Sequence, residues 1–428
     1  MKLNKLIFLL LSSVFFLPLK GQNLDFAKEI IDSLSSSRMQ GRGYVYDGDK
    51  IAAKFISNEF QKLNLRSFNN SRSKNKYFQF FSLTANTFPY NLSVKIGSFE
   101  LQPGLDYFVV GNSGSTYGKY KIKWFNKSIL DDPKKFKKFQ KSNFKQKALF
   151  IDKTGIDDDL NSAVLKIIEV NLVGAPIVVS VTNKKLQWEQ GTRQLNYSIL
   201  KISRKAIPFG RKKIFVNIKS DLKKNYQSQN IIGYIEGQIP DSFVVITAHY
   251  DHLGRMGQVY FPGANDNASG IALMLDLANH YSKINPKYSI AFIAFSGEEL
   301  GLVGSKYYTE NPLFSLKKIK FLINLDMMGN GEKGITVVNG KVFEEHFEEL
   351  EKINSLNNYF ETIVSRGYAQ NSDHYYFTKK GVPSFFIFTN GGTGNYHDIQ
   401  DKLQTLTFGG YNNAFKLITD FISSLKNL

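Results

Sequence analysis

The C-terminal two hundred residues alternate in a way that leaves few folds open. Apolar runs of strand length at 230–234, 243–248, 290–295, 321–325 and 382–388 are separated in several intervals by helical patterns, such as 268–281 and 411–425. Alternating β and α units of this kind build a sheet, mostly parallel, with helices on both faces. In such sheets functional side chains collect at the carboxyl ends of strands. Here the run at 243–248 leads into His249-Tyr250-Asp251, the run at 290–295 into Ser296-Gly297-Glu298-Glu299, and the run at 321–325 into Asp326. The run at 382–388 passes through a glycine-rich loop to Tyr396-His397, and Asp266 lies in a Gly/Asn loop ahead of a helix.

A single acid at a strand end is usually a cap or a turn residue, and Asp266 alone reads more simply as an N-cap. Convergence changes the reading. Two histidines and three carboxylates brought together from separate strand ends repel one another unless a cation neutralises them. The chain has no cysteine, so disulfides, thiol nucleophiles and thiolate metal sites are excluded together. Nitrogen and oxygen donors without sulfur suit zinc, and less well manganese or cobalt. Five such groups, one of them bridging, can hold two metal ions. No H-E-x-x-H string occurs, which excludes that helical zinc motif.

With 428 residues the chain exceeds what one core usually spans, so two domains are expected. Its 42% apolar and 21% charged content fits a folded chain. Residues 1–21 read as a signal peptide: Lys2 and Lys5 precede an apolar run from Leu6 to Leu19, and Gly21 is small enough for cleavage. That run is short of the ~20 residues a spanning helix needs, so the expectation is export to the periplasm or beyond, with no stable membrane span. Residues 22–98 carry two amphipathic helical patterns, at 26–34 and 50–63, the second with Ile51, Phe55, Phe60 and Leu63 near one face. Residues 99–225 read as a small inserted α/β or β-rich domain, and 226–428 as the remainder of the main domain. The formal charge of +18 is concentrated in the insert: residues 111–224 hold 25 Lys and Arg against 9 Asp and Glu, a net of +16. No nucleic-acid motif accompanies it, so a solvated basic surface is expected rather than a nucleic-acid partner.

The strings AHYDHLG, PGANDNASG, FSGEELGLVGS, NLDMMG and YHDIQD, in that order, resemble the two-zinc aminopeptidases of clan MH. The likeness is to the family with bacterial secreted aminopeptidases, aminopeptidase Y and glutamate carboxypeptidase II. It covers about 200 residues, from Asn230 onward. The insert is more weakly similar to the protease-associated domain of some members. The resemblance implies a zinc exopeptidase fold and two zinc ions acting on peptide substrates. One zinc would be held by His249, Asp266 and Asp326, the other by Asp266, Glu299 and His397. It implies that Asp251 accepts a hydrogen bond from His249, and that a cis peptide often follows this aspartate. Glu298 would take a proton from the water between the metals and pass it to the leaving amine, and Tyr396 would donate to the oxyanion. Asp373 and His374, within SDHYYF, would support the site or line its pocket.

Removal of N-terminal residues is the activity this implies. Two other reactions on the same fold stay open: glutaminyl cyclisation, for which NDNASG and the Tyr before the last His are the less typical choice, and removal of C-terminal residues. A non-catalytic binding module would have lost ligands or base, and this chain keeps them. Side-chain preference and oligomeric state leave no signal in the sequence.

Overall fold

The computed structural model describes residues 23–69, 75–157 and 162–425. The expected signal peptide, and part of the polar stretch 69–76, lie outside them. Among the described residues no helix is long and apolar enough to cross a membrane.

The chain opens with α1 (Leu24–Ser35), capped by the Asn23 side chain, which accepts from the Phe26 N–H. Its Ala27, Ile30, Ile31 and Leu34 recur at helical spacing and are all buried. At roughly 1.5–3 kcal/mol for each large side chain, that stripe anchors the N-terminus to the core. In α2 (Gly48–Lys62) the buried face is Ala52, Ala53, Ile56 and Phe60. Ile51, expected on that face, is 37% exposed; the two small alanines let the backbone approach closely and rotate the apolar stripe away from it.

Next come β1 (Phe78–Thr87), β2 (Ser93–Ile96), β3 (Phe99–Leu101), β4 (Tyr107–Val109) and β5 (Thr116–Phe125), then α3 (Lys127–Leu130) and α4 (Pro133–Gln140). Asp132 caps α4, and Pro133 at its first turn needs no N–H partner. Then follow β6 (Lys147–Asp152), α5 (Ser162–Glu169), β7 (Ile177–Thr182), β8 (Ser198–Ser203) and β9 (Lys213–Ile218). Eight of these strands form one sheet in the order β3-β2-β9-β5-β6-β7-β8-β4.

The chain returns through β10 (Asp221–Ile235), β11 (Ile239–His249), the two-residue strands β12 (Arg255–Met256) and β13 (Val259–Tyr260), and α6 (Gly270–Tyr281). It continues with β14 (Tyr288–Phe295), α7 (Val303–Glu310), β15 (Ile319–Leu325), β16 (Ile335–Val338), α8 (Glu344–Asn357), β17 (Ile363–Arg366), α9 (His374–Lys379), β18 (Ser384–Thr389) and α10 (Tyr411–Ser424). The main sheet runs β1-β10-β14-β11-β15-β18-β16-β17. Its centre, β14-β11-β15-β18, is parallel, and the flanking pairs β1/β10, β10/β14 and β16/β18 are antiparallel. The central strands are buried on both faces, which is why they read as continuous apolar runs. Helix α6, apolar nearly all round, packs against this sheet and against α1 and α10.

The two sheets meet through the β1/β10 pair, whose register runs from Phe78↔Ile231 to Thr87↔Asp221. The second sheet therefore includes β2, ahead of the expected boundary at 99, and ends with β9. Residues 221–225 belong to β10 and the main sheet. Charge and apolar runs do not mark this junction, because β1 and β10 continue past the main core toward the insert.

Candidate metal centre

The site forms where the parallel strands end. β11 delivers His249 and Asp251, the turn after β14 delivers Glu298 and Glu299, and β15 delivers Asp326. Asp266 is 3% exposed and precedes α6 in a stretch that leaves helical φ/ψ at Asp266 and Asn267. It is therefore no N-cap. His249 Nε2 lies 3.4 Å from Asp266 Oδ1 and 3.4 Å from Asp326 Oδ1. His397 Nε2 lies 3.2 Å from Asp266 Oδ2 and 3.2 Å from Glu299 Oε2. All five expected ligands thus meet, with Asp266 shared between two groups.

Three devices hold Asp266. Asp401 accepts from the N–H groups of Asn265 (2.8 Å) and Asp266 (3.0 Å). The Asn267 side chain donates to Leu325 O at 2.9 Å and accepts from Met327 N at 3.1 Å, tying this loop to the end of β15. Arg42, fully buried, spends its guanidinium on five backbone carbonyls: Tyr250, Leu34, Pro262, Gly263 and Asp266. Burial lowers its pKa to about 10 against the pull of Asp266 and Asp401, which still leaves it charged at neutral pH. Gly263 has φ 59°, and a Cβ there would meet Asp266 O at 2.3 Å and the Arg42 guanidinium at 2.6 Å.

Two details differ from expectation. His249 Nδ1 donates to the backbone carbonyl of Asp251 at 3.1 Å, while the Asp251 carboxylate stands 3.8 Å away, too far for a hydrogen bond. That carboxylate instead accepts from Tyr44 Oη (3.0 Å) and from Glu298 N (3.2 Å), so Asp251 orients Glu298. The cis peptide bond follows Asp266, not Asp251.

Sequence reasoning missed several contributors. His252 Nδ1 donates to Glu299 Oε1 at 2.8 Å, and its fully buried ring leaves Nε2 without a partner. The signal was present in the second His of AHYDHLG. Arg42 and Tyr44 come from the N-terminal segment, two hundred residues away in sequence. The insert reaches the site as well. Trp188 N donates to His397 O at 3.1 Å, holding a histidine whose φ is 53°. Lys185 Nζ pairs with Asp398 at 2.9 Å, and Gln190 donates to His252 O at 2.9 Å. Asp373 and His374 are fully buried behind the centre. Burial pushes the Asp373 carboxyl up to about 7.

The electrostatics ask for positive charge. Burial would lower the pKa of His397, but Glu299 and Asp266 outweigh it and raise it to about 11. His249 is raised in the same way by Asp326 and Glu298. Asp266 Oδ2 and Asp326 Oδ1 are buried and take no aligned hydrogen bond, although imidazole nitrogens stand 3.2–3.4 Å away. Buried carboxylate oxygens left this way are costly unless a cation is bound. The donor set fits divalent zinc.

Beside these groups is a cavity of about 260 Å³, lined by His249, Asp266, Glu298, Asp326, Arg366 and Tyr396 among others. Burial, and then the neighbouring acids, raise Glu298 well above the usual carboxylate range. The Tyr396 ring stacks on His397 with centroids 3.8 Å apart. Burial and the nearby carboxylates hold its hydroxyl protonated, hence a donor.

Fold and site together define the class, an α/β protein whose strand ends converge on a buried donor set suited to divalent cations. Residues 230–422 match the model for peptidase family M28. It is 33% identical over 212 residues to Aminopeptidase YwaD of Bacillus subtilis (strain 168), covering 46% of this chain and 44% of that protein. Over 120 residues it is 32% identical to an aminopeptidase of Pseudomonas aeruginosa, covering 28% of this chain and 22% of that one. The matches thus span less than half the length of these curated relatives. Among solved structures, BSAP, a zinc aminopeptidase from Bacillus subtilis, aligns with TM-score 0.68 at 21% identity over 94% of each chain. An aminopeptidase from Aneurinibacillus sp. strain AM-1 aligns with TM-score 0.64 at 19% identity, over 95% of this chain and 94% of that one. At these identities the structural likeness establishes the fold, and both sheets take part in it.

Proposed function

We propose that the protein is an exported zinc aminopeptidase that removes single residues from peptide N-termini. The observation that carries this is the sharing of Asp266 between His249/Asp326 and His397/Glu299, beside a cavity that presents Glu298. In this reading His249, Asp266 and Asp326 hold one zinc, and Asp266, Glu299 and His397 the other. His252 orients Glu299. The metals, when bound, supply Lewis-acid polarisation of the scissile carbonyl and a water of lowered pKa. Glu298 receives the proton of the attacking water at a carboxylate oxygen and returns it to the departing amine nitrogen. Asp251 holds the Glu298 backbone through its N–H. The Tyr396 hydroxyl donates toward the oxygen that gains charge at the scissile carbonyl.

Action at the amino end is supported by the printed activity of the relatives, which are aminopeptidases. Three lining carboxylates, Asp266, Glu298 and Asp326, face one guanidinium, Arg366. Arg255, the other arginine near the motifs, is occupied by Gln40 Oε1 and by the carbonyls of Gly257 and Gln258. An acetyl cap removes the free amine that such an enzyme acts beside. In a mass-spectrometric time course, peptides with free N-termini should lose single residues and their N-acetylated forms should persist. Shortening from the C-terminus, or pyroglutamate formation with no bond cut, would overturn the proposal.

Metal analysis of the purified protein should find close to two zinc ions per chain. Chelation should abolish activity, and metal uptake should weaken as pH falls, because His249 and His397 must be neutral to ligate. Full activity in metal-free protein would end the zinc reading. Export rests on the charged and apolar N-terminal segment, and N-terminal sequencing of the mature chain tests it.

A further inference from the structure

The second sheet has one face only half covered. On one side it builds a core with Phe88, Leu253, Met256 and Phe261 of the main domain. On the other, α3, α4 and α5 cover Phe125, Leu149, Ile151 and Val178. The remainder of that second face, over β5, β9, β2 and the start of β6, is left open, and it is paved with lysine. Lys119, Lys121 and Lys123 alternate along β5 on the side opposite Tyr120, Ile122 and Trp124, which pack into the core. Lys121 stands directly across from Lys147 of β6 and from Lys213 of β9, so three lysines share one cross-strand row. Lys95 of β2 belongs to the same face, opposite Phe215.

Such a row destabilises the free protein. Like charges opposite one another cost free energy. Spacings of about 5 Å across strands and roughly 7 Å along them are shorter than the ~8 Å Debye length. Among the sheet residues of this face, Glu100 is the sole acid, and it is paired with Lys95 at 2.9 Å. The flanking helix α4 adds Lys134, Lys137 and Lys138. At the end of the sheet where Lys121 and Lys213 lie, the loop 207–212 presents Phe209 at 103% exposure, followed by Arg211 and Lys212. Phe99, 49% exposed, is nearby beneath the Arg211 guanidinium at 5.2 Å.

We propose that this face docks the enzyme on an anionic lipid bilayer surface. A flat lattice of lysines matches a plane of headgroups, each lysine adding attraction. A fully exposed phenylalanine at its edge gains by entering the interfacial layer. A polysaccharide would satisfy the lysines and leave Phe209 in water. The attachment is peripheral and reversible, and it is independent of the metal centre.

The test is co-sedimentation of the full chain with vesicles of phosphatidylcholine alone and with about 30% phosphatidylglycerol. Because the segment 1–21, with Lys2, Lys5 and its apolar run, would itself bind vesicles, the deciding readout is the difference between the unaltered chain and variants that share that segment. Binding should depend on phosphatidylglycerol and weaken sharply in high salt. Lys121→Glu with Lys123→Glu and Lys213→Glu should lower the anion-dependent partitioning at least about tenfold. Phe209→Ala should lower it by a smaller factor. Hydrolysis of a short soluble peptide should be unchanged in both variants, which separates this surface from the catalytic reading. Equal binding to both vesicle types, unchanged binding in the lysine variant, or binding to a nucleic acid or heparin column with none to anionic vesicles, would each overturn the proposal. If the lysine variant fails to fold, Phe209→Ala decides.

Discussion

Replacing Glu298 with Gln should lower kcat by at least about 10²-fold, the usual scale of general-base catalysis, while metal content stays near that of the unaltered protein. The amide keeps the volume and the backbone N–H bond to Asp251 but cannot accept the proton. Glu298 lines the cavity, whereas Glu299 is turned to His252 and His397. Glu299→Gln should therefore show the opposite pattern, with metal lost first. Metal analysis and turnover measured on the same two preparations decide the matter. If Glu298→Gln loses zinc and Glu299→Gln keeps it, the two roles must be exchanged.

Arg42→Met should be the most destabilising single change in the N-terminal segment. It leaves five buried carbonyls without their donor, and each such loss costs about 1–3 kcal/mol. These costs do not add fully, but a total of about 4 kcal/mol or more is expected, in the range reserved for broken buried networks. The damage should also reach the centre, since two of those carbonyls belong to Gly263 and Asp266. Metal affinity should fall even where the variant is folded. Arg42→Lys keeps the charge, but three donors on one nitrogen cannot reproduce a planar fork of five, so an intermediate loss is expected. Denaturant unfolding with and without chelator separates the two effects. A loss under 1 kcal/mol in Arg42→Met would refute this account.

The sequence by itself determined the central strands of the main sheet and the acids at their ends. Parallel strands buried on both faces must be continuous apolar runs, and a chain that ends those runs in His249, Glu298, Glu299 and Asp326 leaves little choice about where they meet. The lack of cysteine decided the donor chemistry. What the tertiary structure alone decided comes from contacts that leave no periodicity. Arg42 satisfies carbonyls drawn from three separate segments, and carbonyls are the same at every position of the sequence. Asp251 faces Tyr44 and Glu298 rather than His249 because the Asp251 carbonyl already takes the imidazole N–H. Trp188, in an insert that charge had set apart, holds the backbone of the last histidine, and Lys185 pairs with the carboxylate of the next residue. The lysine row at 121, 147 and 213 exists only through strand register, since the three lie far apart in the chain and face one another because β5 pairs with β6 on one side and β9 on the other.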